Sequence, residues 1–326
     1  MRTLSAAIER FATRQPFVIA RGAKNHVDLV CVTLREGAAE GRGEGTPIDY
    51  RGDDAEQALA AVRAVAPAVE AGASRSDLLD LMPPGAARNA IDSALWDLEA
   101  KASGLRVWQR LGLPEPRPLL TAYTISLGDP AAMAAAARQV AGRELLKLKL
   151  GGEGDIERVT AVRRAAPHAR LIVDANQGWV GLDIEAMCHA LHALGVELVE
   201  QPLPAGADGD LAHVRSPVPL AADESVQDRA SLDSVVGRYR FVNVKLDKAG
   251  GLTEALALIH AAGQRGLGVM VGCMLSTSLG VAPAFIAAMQ ATYADLDGPL
   301  LLASDRASPL AFSGSDVHPP GPDLWG

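Results

Sequence analysis

Five charged residues recur at intervals of about two dozen residues through the middle of the chain, and all five could take part in chemistry. Two lysines enclose three acids in the order Lys149, Asp174, Glu200, Asp223 and Lys245. Each residue ends a short apolar run that predicts a buried strand, and the spacers predict helices. Because the charged residue always lies at the carboxyl end of its strand, this βα repeat places all five at one mouth of a barrel. The pattern therefore predicts an active site rather than a charged surface.

The three acids predict a magnesium site. Asp174, Glu200 and Asp223 end three successive strands, so their carboxylates can converge at the mouth. Hard oxygen ligands with room for substrate and water suit Mg²⁺. No histidine or cysteine ends a strand in this cluster, which disfavours zinc. We predict one Mg²⁺ per subunit; a structural ion pair with a lysine is the alternative for any single acid.

The two lysines predict an acid–base pair. Lys149 and Lys245 end the second and sixth strands, so they flank the acids from opposite sides of the barrel. One lysine could remove the α-proton of a carboxylate substrate while the other returns a proton to the opposite face, which inverts a stereocentre. A base must be neutral, and burial, Mg²⁺ and the partner lysine together predict a lowered pKa for one of the pair.

The barrier reduction that an enzyme must achieve shows why both the lysines and the metal are needed. Positioned acid–base catalysis supplies roughly 3–5 kcal/mol of the about 8–23 kcal/mol by which enzymes lower barriers. The metal must therefore supply much of the rest, by stabilising the enediolate that forms when the α-proton leaves.

The elements that position these residues begin at Leu119. We predict strands near 120–126, 145–149, 171–174, 197–200, 219–223, 241–245, 268–272 and 292–296. We predict helices near 130–141, 155–166, 182–194, 208–214, 228–237, 252–265 and 279–289. Eight strands close a barrel, so the fold class is α/β.

The first part of the chain lacks this rhythm. Antiparallel strands are predicted at 17–20 and 27–34 with a turn at 21–25, and Gly41, Gly43, Gly45 and Pro47 indicate a loop. Helices are predicted at 55–69, after Asp53 and Asp54, and at 85–101. The proline-rich segment 113–118 indicates a domain boundary. We therefore divide the chain into an α+β domain (1–115), a barrel (116–300) and a tail (301–326) that packs back on the first domain.

Composition excludes several classes of protein. The chain has 326 residues, 48% of them hydrophobic, and a net charge of −8, which argues against a nucleic-acid partner. Three widely separated cysteines indicate no disulfide framework, and no export signal is visible at the start. The uncharged stretch 266–294 is interrupted by glycine, serine and proline, which favours a buried strand and helix over a membrane span. We expect a cytoplasmic protein without a membrane partner; the oligomeric state is left open between a monomer and a homo-oligomer.

Several motifs together resemble the enolase superfamily, in its muconate-lactonising subgroup. They are Lys147-Leu148-Lys149, Asp174-Ala175-Asn176, Glu200-Gln201-Pro202, Ala222-Asp223-Glu224-Ser225, the run from Val244 to Gly251, and the helix around Ala90 to Asp97. The resemblance implies the same acid–base lysines and the same three metal ligands. It also implies a modified TIM barrel, (β/α)7β, with a capping domain that is built from both chain ends and closes over the mouth.

Two further stretches narrow the resemblance. Asp295 and Asp297 lie at i and i+2, so they project together and could hold a substrate ammonium. This pair resembles the Asp-x-Asp element of dipeptide epimerases, although a helix-cap or salt-bridge role is the alternative. The stretch 17–22 resembles the capping loop of the L-Ala-D/L-Glu epimerases, where Arg21 suits a glutamate carboxylate, and a solvated loop charge is its alternative.

The resemblance also implies the remaining site residues. The stretch 271–278 is similar to the seventh-strand segment of the same enzymes. The substrate contacts implied in all are Asp295, Asp297, Arg21, Lys147, Thr124, Cys273 and Met274. Asn176 and Glu224 are expected to orient metal ligands or a lysine.

The leading hypothesis is a Mg²⁺-dependent isomerase that epimerises the C-terminal residue of a dipeptide, L-Ala-D-Glu to L-Ala-L-Glu. It uses two-base 1,1-proton transfer through an enediolate and suits the recycling of murein peptides, a step of cell-wall peptide degradation. Alternatives within the family are an epimerase of other dipeptides and a cycloisomerase or o-succinylbenzoate-synthase-like enzyme, whose substrates carry no ammonium. A Schiff-base aldolase that uses Lys245 leaves the three acids without a role. A non-enzymatic binding barrel has no use for five buried charges.

Overall fold

The computed structural model describes residues 1–326. The first part of the chain is an antiparallel sheet covered by helices. Its strands are β1 (Arg2–Ile19), β2 (Gly22–Glu36) and β3 (Ala39–Gly45), in the spatial order β1-β2-β3. Its helices are α1 (Ala55–Glu70), α2 (Leu78–Leu81), α3 (Ala86–Ser103) and α4 (Val107–Arg110). A 3₁₀ turn, Asp49–Arg51, lies between the sheet and α1.

Strand β1 is much longer than the predicted strand at 17–20. It pairs with β2 from Arg2 opposite Glu36 to Ile19 opposite Gly22, with an irregularity between Ala12 and Phe17. The early part of β1 alternates between partly buried and exposed side chains, which is the period-two pattern of a half-covered strand. Small and charged residues make this alternation weak in the sequence. The predicted turn at 21–25 was also wrong, because the hairpin turns at Ala20 and Arg21.

The predicted loop at Gly41, Gly43 and Gly45 was wrong as well, because these glycines form strand β3. A Cβ atom at Gly43 would lie 2.0 Å from the carbonyl oxygen of Ala90, on the backbone of α3. Corresponding contacts at Gly41 and Gly45 are 2.2 and 2.1 Å. The missing side chains let α3 lie directly on the sheet, so here glycine marks a close approach of two backbones rather than a turn.

The two long helices were predicted correctly. Helix α1 begins after Asp54, whose side chain accepts a hydrogen bond from the backbone N–H of Gln57 at 2.7 Å. Helix α3 is buried along nearly its whole length. Its Ile91 and Leu95 pack in the core under the sheet, and its Trp96 packs in the core of the barrel. This helix therefore joins the N-terminal sheet and its helices (residues 2–110, called the cap below) to the barrel.

A short strand, β4 (Leu119–Leu120), leads into the barrel. The barrel elements follow in chain order as β5 (Tyr123–Ile125), α5 (Pro130–Gln139), β6 (Leu145–Lys149), α6 (Asp155–Ala165), β7 (Arg170–Asp174), α7 (Ile184–Ala193), β8 (Val196–Glu200), β9 (Leu220–Ala222), β10 (Phe241–Lys245), α8 (Leu246–Ala249), α9 (Leu252–Gln264), β11 (Gly268–Gly272), α10 (Ser278–Ala288), β12 (Tyr293–Asp295) and α11 (Gly298–Leu301).

Strands β5 to β12 form one parallel sheet in sequence order, and its two edges meet where Thr121 pairs with Ala294. The fold is therefore a TIM-like barrel of eight strands beside an antiparallel N-terminal sheet, as predicted. Apolar side chains fill the barrel below the carboxyl ends of the strands: Ala122, Leu145, Ile172, Leu198, Ala221 and Met270. This plug leaves polar side chains at the opposite, carboxyl-terminal end.

Two predicted barrel helices are 3₁₀ turns instead, Gly209–His213 and Arg229–Ser234. The first one follows Pro204 and Gly206 and begins at Gly209, and these residue types oppose a longer helix. The second is only six residues long and begins where Asp228 accepts a hydrogen bond from the Ser231 N–H. Both 3₁₀ turns are therefore shorter than the helices that were predicted in their places.

The tail runs back along the molecule. Strands β13 (Phe312–Ser313) and β14 (Asp316–Val317) pair with each other, and β14 pairs with β4. Further on, the Trp325 indole donates a hydrogen bond to the Ser93 carbonyl of α3 at 2.9 Å. None of the helices is both long enough and apolar enough to cross a membrane, and the uncharged stretch 266–294 forms β11 and α10.

Candidate active site

A cavity of about 410 Å³ lies at the carboxyl ends of the barrel strands, between the barrel and the loops of the cap. A volume in this range suits a small-molecule ligand. Eleven of the predicted site residues line it: Arg21, Thr124, Lys147, Lys149, Asn176, Asp223, Lys245, Cys273, Met274, Asp295 and Asp297. The other three, Asp174, Glu200 and Glu224, are buried beside this set. The structure thus brings together side chains from all parts of the barrel and from the cap.

The three acids meet as the βα period predicted. Asp174 and Glu200 end β7 and β8, and Asp223 follows β9 directly. One carboxylate oxygen from each residue lies within 4.8 Å of those of the other two, and all three side chains are buried. Three convergent hard oxygen donors fit the ligand preference of Mg²⁺.

The backbone around these acids is held in unusual conformations. Asn176, Gln177 and Gln201 have positive φ angles of 46°, 68° and 37°, which cost residues other than glycine about 1–3 kcal/mol each. The Gln201 amide oxygen accepts hydrogen bonds from the backbone N–H groups of Asp223 at 2.8 Å and Ser225 at 3.1 Å. These hydrogen bonds hold the end of β8 against the end of β9. The protein itself therefore fixes the relative positions of Glu200 and Asp223 before a metal binds.

Three lysines form close ion pairs with the three acids. Lys149 Nζ lies 2.6 Å from Asp174 Oδ2, and Lys245 Nζ lies 2.7 Å from Asp223 Oδ2. Lys147 Nζ lies 2.7 Å from Glu200 Oε2. Lys149 and Lys245 approach the acids from the second and sixth strands, as the sequence predicted.

These pairs control the charge of the acids. Burial alone would raise the pKa of Asp174, but Lys149 and Lys147 lower it to about 2. Burial opposes ionisation of Asp223 too, yet Lys245 and Lys248 hold its pKa well below the usual value. Burial and the neighbouring Asp174 charge raise the pKa of Glu200 to about 7. Two of the three acids are therefore firmly ionised at neutral pH.

The pKa of Lys245 is raised by the acids around it. Burial lowers the pKa of this amine, but the charges of Asp223 and Glu200 outweigh burial and raise the pKa above its ordinary value. The prediction was a lowered pKa for one lysine of the pair in the presence of Mg²⁺; for Lys245 itself the carboxylate partners dominate the environment.

Asp295 and Asp297 lie together at the end of β12. Asp295 Oδ2 pairs with Lys147 Nζ at 2.7 Å, whereas Asp297 Oδ2 accepts a hydrogen bond from the Thr124 backbone N–H at 2.6 Å. Asp297 precedes α11 but its side chain does not cap that helix. Burial and the adjacent Asp295 charge raise the pKa of Asp297 to about 7. The pair is thus a buried acidic site in which a single cation, Lys147, contacts Asp295 and none contacts Asp297.

Arg21 reaches the cavity from the hairpin between β1 and β2. Its Nη1 donates a hydrogen bond to Glu224 Oε1 at 2.7 Å, and its guanidinium carbon lies 5.2 Å from the centroid of the Tyr50 ring. Phe17, from the same hairpin, has its ring centroid 5.9 Å from Lys149 Nζ. Arg21 therefore lines the cavity in an ion pair with Glu224, and 34% of its side chain stays exposed.

Several residues of the site were not predicted from the sequence. Tyr50 lines the cavity from the 3₁₀ turn of the cap, where no periodic pattern indicates it. Lys248 is buried in α8, and its Nζ donates to Asp223 Oδ1 at 2.6 Å and to the Val226 carbonyl at 3.0 Å. Its position one helical turn after Lys245 was the available signal, because a lysine there lies over the same strand end.

Two family models match the chain. Residues 1–112 match the model "Mandelate racemase / muconate lactonizing enzyme, N-terminal domain", and residues 131–320 match "Enolase C-terminal domain-like". Among characterised proteins, the L-Ala-D/L-Glu epimerase of Escherichia coli is 42% identical over 98% of this chain and 100% of its own length. The N-acetyl-D-glutamate racemase of a Pseudoalteromonas species is 45% identical over 77% of this chain and 79% of its own.

Solved structures agree with these matches. An enolase family member from Agrobacterium tumefaciens with homology to dipeptide epimerases, solved with sodium and L-Ala-L-Glu, is 51% identical with a TM-score of 0.98. The alignment covers 100% of both chains. The dipeptide epimerase from Cytophaga hutchinsonii, complexed with Mg and D-Ala-L-Val, is 27% identical with a TM-score of 0.90 over 98% of this chain and 94% of that one.

Proposed function

The chain belongs to the mandelate racemase/muconate lactonizing enzyme family of the enolase superfamily, and on this premise we propose that it is a Mg²⁺-dependent dipeptide epimerase. It interconverts L-Ala-D-Glu and L-Ala-L-Glu by inverting the C-terminal residue. One observation carries this proposal: a lysine–triad–lysine arrangement and a buried acidic pair face the same cavity. The first suits removal of an α-proton, and the second suits a substrate with a free amino group.

In this proposal Asp174, Glu200 and Asp223 hold Mg²⁺. When bound, Mg²⁺ supplies a Lewis acid that offsets the negative charge growing on the substrate carboxylate as the α-proton leaves. Lys149 and Lys245 exchange protons with the α-carbon from opposite faces through their Nζ atoms. Lys147, whose pKa is lowered by burial but raised much more by three carboxylates, stays charged and offsets the negative charge of the site.

The acidic pair selects for a substrate ammonium. In the proposed complex, Asp295 and Asp297 face the amino group of the first residue of the dipeptide. An N-acylated amino acid has no positive charge to offer them and would leave the buried Asp297 without a cationic partner, which is costly. This favours a dipeptide over N-acetylglutamate, although the chain resembles a racemase of that compound as well.

The remaining contacts select the side chain. Arg21 uses one N–H group on Glu224, and a guanidinium has five, so Arg21 can also bind the γ-carboxylate of a substrate glutamate. Thr124, Cys273 and Met274 line the cavity and complete the predicted substrate contacts. In this proposal Asn176 orients the groups that hold Mg²⁺, and Glu224 orients Arg21.

The proposal extends to the cellular setting of the reaction. The cysteines at 31, 188 and 273 are unpaired, which suits the reducing cytoplasm. There the enzyme would recycle murein peptides. It would have neither nucleic acid nor a membrane as a partner, and it would act as a monomer or a homo-oligomer. Residues 1–115 and 301–326 would act as the cap and 116–300 as the catalytic barrel.

A substrate panel tests the proposed function. We expect L-Ala-L-Glu and L-Ala-D-Glu to interconvert in the presence of Mg²⁺, as followed by chiral chromatography, and to be stable after EDTA treatment. N-acetyl-D-glutamate should react at least a hundredfold more slowly, because it lacks the ammonium. Equal turnover of N-acetyl-D-glutamate would contradict the role of the acidic pair, and no turnover of any dipeptide would contradict the function itself.

A further inference from the structure

Asn243 is a fully buried polar residue on β10 that the proposed reaction does not use. It lies two residues before Lys245, so both side chains point into the barrel. Its Nδ2 donates a hydrogen bond to Glu200 Oε1 at 2.7 Å, whereas its Oδ1 has no partner. A buried amide that leaves one atom unpaired carries a cost, so its retained bond to Glu200 calls for an explanation.

The backbone of Asn243 is connected to a second acid. Lys248 Nζ donates to the Asn243 carbonyl oxygen at 2.9 Å and to Asp223 Oδ1 at 2.6 Å. Asn243 therefore contacts Glu200 directly, through its side chain, and Asp223 indirectly, through Lys248. It does so from a strand that contributes neither acid.

Gly272 on the neighbouring strand β11 makes room for this arrangement. Lys245 pairs with Gly272 in the parallel register of the two strands. A Cβ atom at position 272 would lie 2.8 Å from Asn243 Oδ1 and 3.2 Å from Lys245 Cε. Both separations are shorter than ordinary carbon contacts, so any larger residue would displace the amide or the lysine.

We propose that Asn243 is a positioning residue that acts through Glu200: its amide fixes the orientation of this carboxylate for Mg²⁺. The inference rests on the proposed function, because it takes the triad to be a Mg²⁺ site. A neutral donor suits the position, since it satisfies one oxygen of Glu200 without competing for the metal. Groups that orient metal ligands in this way typically contribute a factor of about 10–100 to metal affinity.

Metal titration of Asn243→Leu tests the proposal without relying on activity. Leucine has a similar size and no hydrogen-bonding group. We expect the dissociation constant for Mn²⁺, measured by electron paramagnetic resonance on EDTA-treated protein, to rise about 10–100-fold, and Mg²⁺ to compete correspondingly less well. The matched control is Asn89→Leu. Asn89 is also buried and donates to Asp247 Oδ1 at 2.7 Å, but it touches none of the three acids, so this variant should keep the wild-type metal affinity.

Gly272→Ala is a second, independent variant, and it carries the test if Asn243→Leu does not fold. It keeps every polar group, but its methyl group would lie 2.8 and 3.0 Å from Oδ1 and Nδ2 of Asn243, closer than the 3.2 Å to Lys245 Cε, so the amide must shift and metal affinity should fall as well. Unchanged affinity in the variants that fold, or an equal loss in Asn89→Leu, overturns the proposal. Wild-type protein that binds Mn²⁺ but epimerises no dipeptide contradicts the proposed function, whereas the titrations still decide the role of Asn243.

Discussion

The charge balance at the end of β12 depends on single residues. Lys147 is the only cation in contact with Asp295, and it also pairs with Glu200. Asp297 has a backbone N–H as its partner but no cation. A substrate ammonium would supply the missing positive charge, which makes its recognition sensitive to the protonation of Asp297.

Dipeptide recognition should therefore depend on pH near neutrality. With a pKa raised to about 7, Asp297 is neutral below that pH and ionised above it. We expect the KM for L-Ala-L-Glu to rise as the pH falls from 8 to 6, because a neutral carboxyl attracts the ammonium less strongly. In Asp297→Asn the KM should be high and lack this dependence. A KM that rises equally in both proteins would show that another group is responsible.

At this scale the sequence predicted the residues whose positions follow from the βα period. Lys149, Asp174, Glu200, Asp223 and Lys245 were found because parallel strands end at one mouth. Lys248 and Asn243 were not found, since their roles depend on which side chains lie opposite them across the barrel. Spacing along the chain does not encode such partners.

Among the elements, β3 and α3 show how glycine can build a strand. Alternate glycines of β3 face the helix backbone, and the strand between them contributes Glu44, which accepts a hydrogen bond from the Thr277 N–H at 2.8 Å. The barrel strands were predicted closely, because buried parallel strands are continuous apolar runs. Strand β3 was predicted as a loop, because its glycines are explained only by a helix that lies far away in sequence.

Gly43→Ala should destabilise the protein strongly. The new methyl group would lie 2.0 Å from the Ala90 carbonyl oxygen, and relief requires α3 to move from the sheet. We expect a loss of about 3 kcal/mol or more in the free energy of unfolding, measured with urea. The control Gly263→Ala adds a methyl group to an exposed position of α9 with open space around it, so it should be neutral or stabilise by up to about 1 kcal/mol. Equal stability of both variants would show that β3 and α3 are not in close contact.

For the whole molecule, the joint between cap and barrel is polar and buried. Arg88 of α3 donates to the Ala249 carbonyl at 2.6 Å and to the Gly250 carbonyl at 3.1 Å. One turn further along α3, Asp92 accepts hydrogen bonds from the N–H and hydroxyl groups of Thr253. The sequence predicted a helix here but not these contacts, because the chain does not reveal which barrel element α3 packs against.

The joint should make stability depend on pH. Burial raises the pKa of Asp92 to about 6, although the hydrogen bonds from Thr253 lower it. A raised folded-state pKa stabilises the protein fully below the unfolded value near 4, and this contribution is lost as the pH rises through 6. The loss amounts to roughly 3 kcal/mol at about 1.4 kcal/mol per pH unit.

Asp92→Asn removes this titration; its amide oxygen can still accept from the Thr253 N–H, and its amide N–H can donate to the Thr253 hydroxyl oxygen. The free energy of unfolding of the wild type should therefore fall relative to that of Asp92→Asn as the pH rises from 4 to 6.5. Urea denaturation at several pH values measures this difference. A difference between the two proteins that stays constant with pH would mean that Asp92 does not hold its proton in the folded state.

The central claim is that Lys149 and Lys245 serve opposite faces of one α-carbon, and exchange in D₂O tests it most directly. Wild-type protein with Mg²⁺ should exchange the glutamate α-proton of both L-Ala-L-Glu and L-Ala-D-Glu, as followed by ¹H NMR. Lys149→Met and Lys245→Met should each lose epimerisation, yet each should still exchange the α-proton of one epimer, and not of the same one. Epimerisation that continues at the wild-type rate in Lys245→Met, or loss of exchange for the same epimer in both variants, would contradict the two-lysine mechanism.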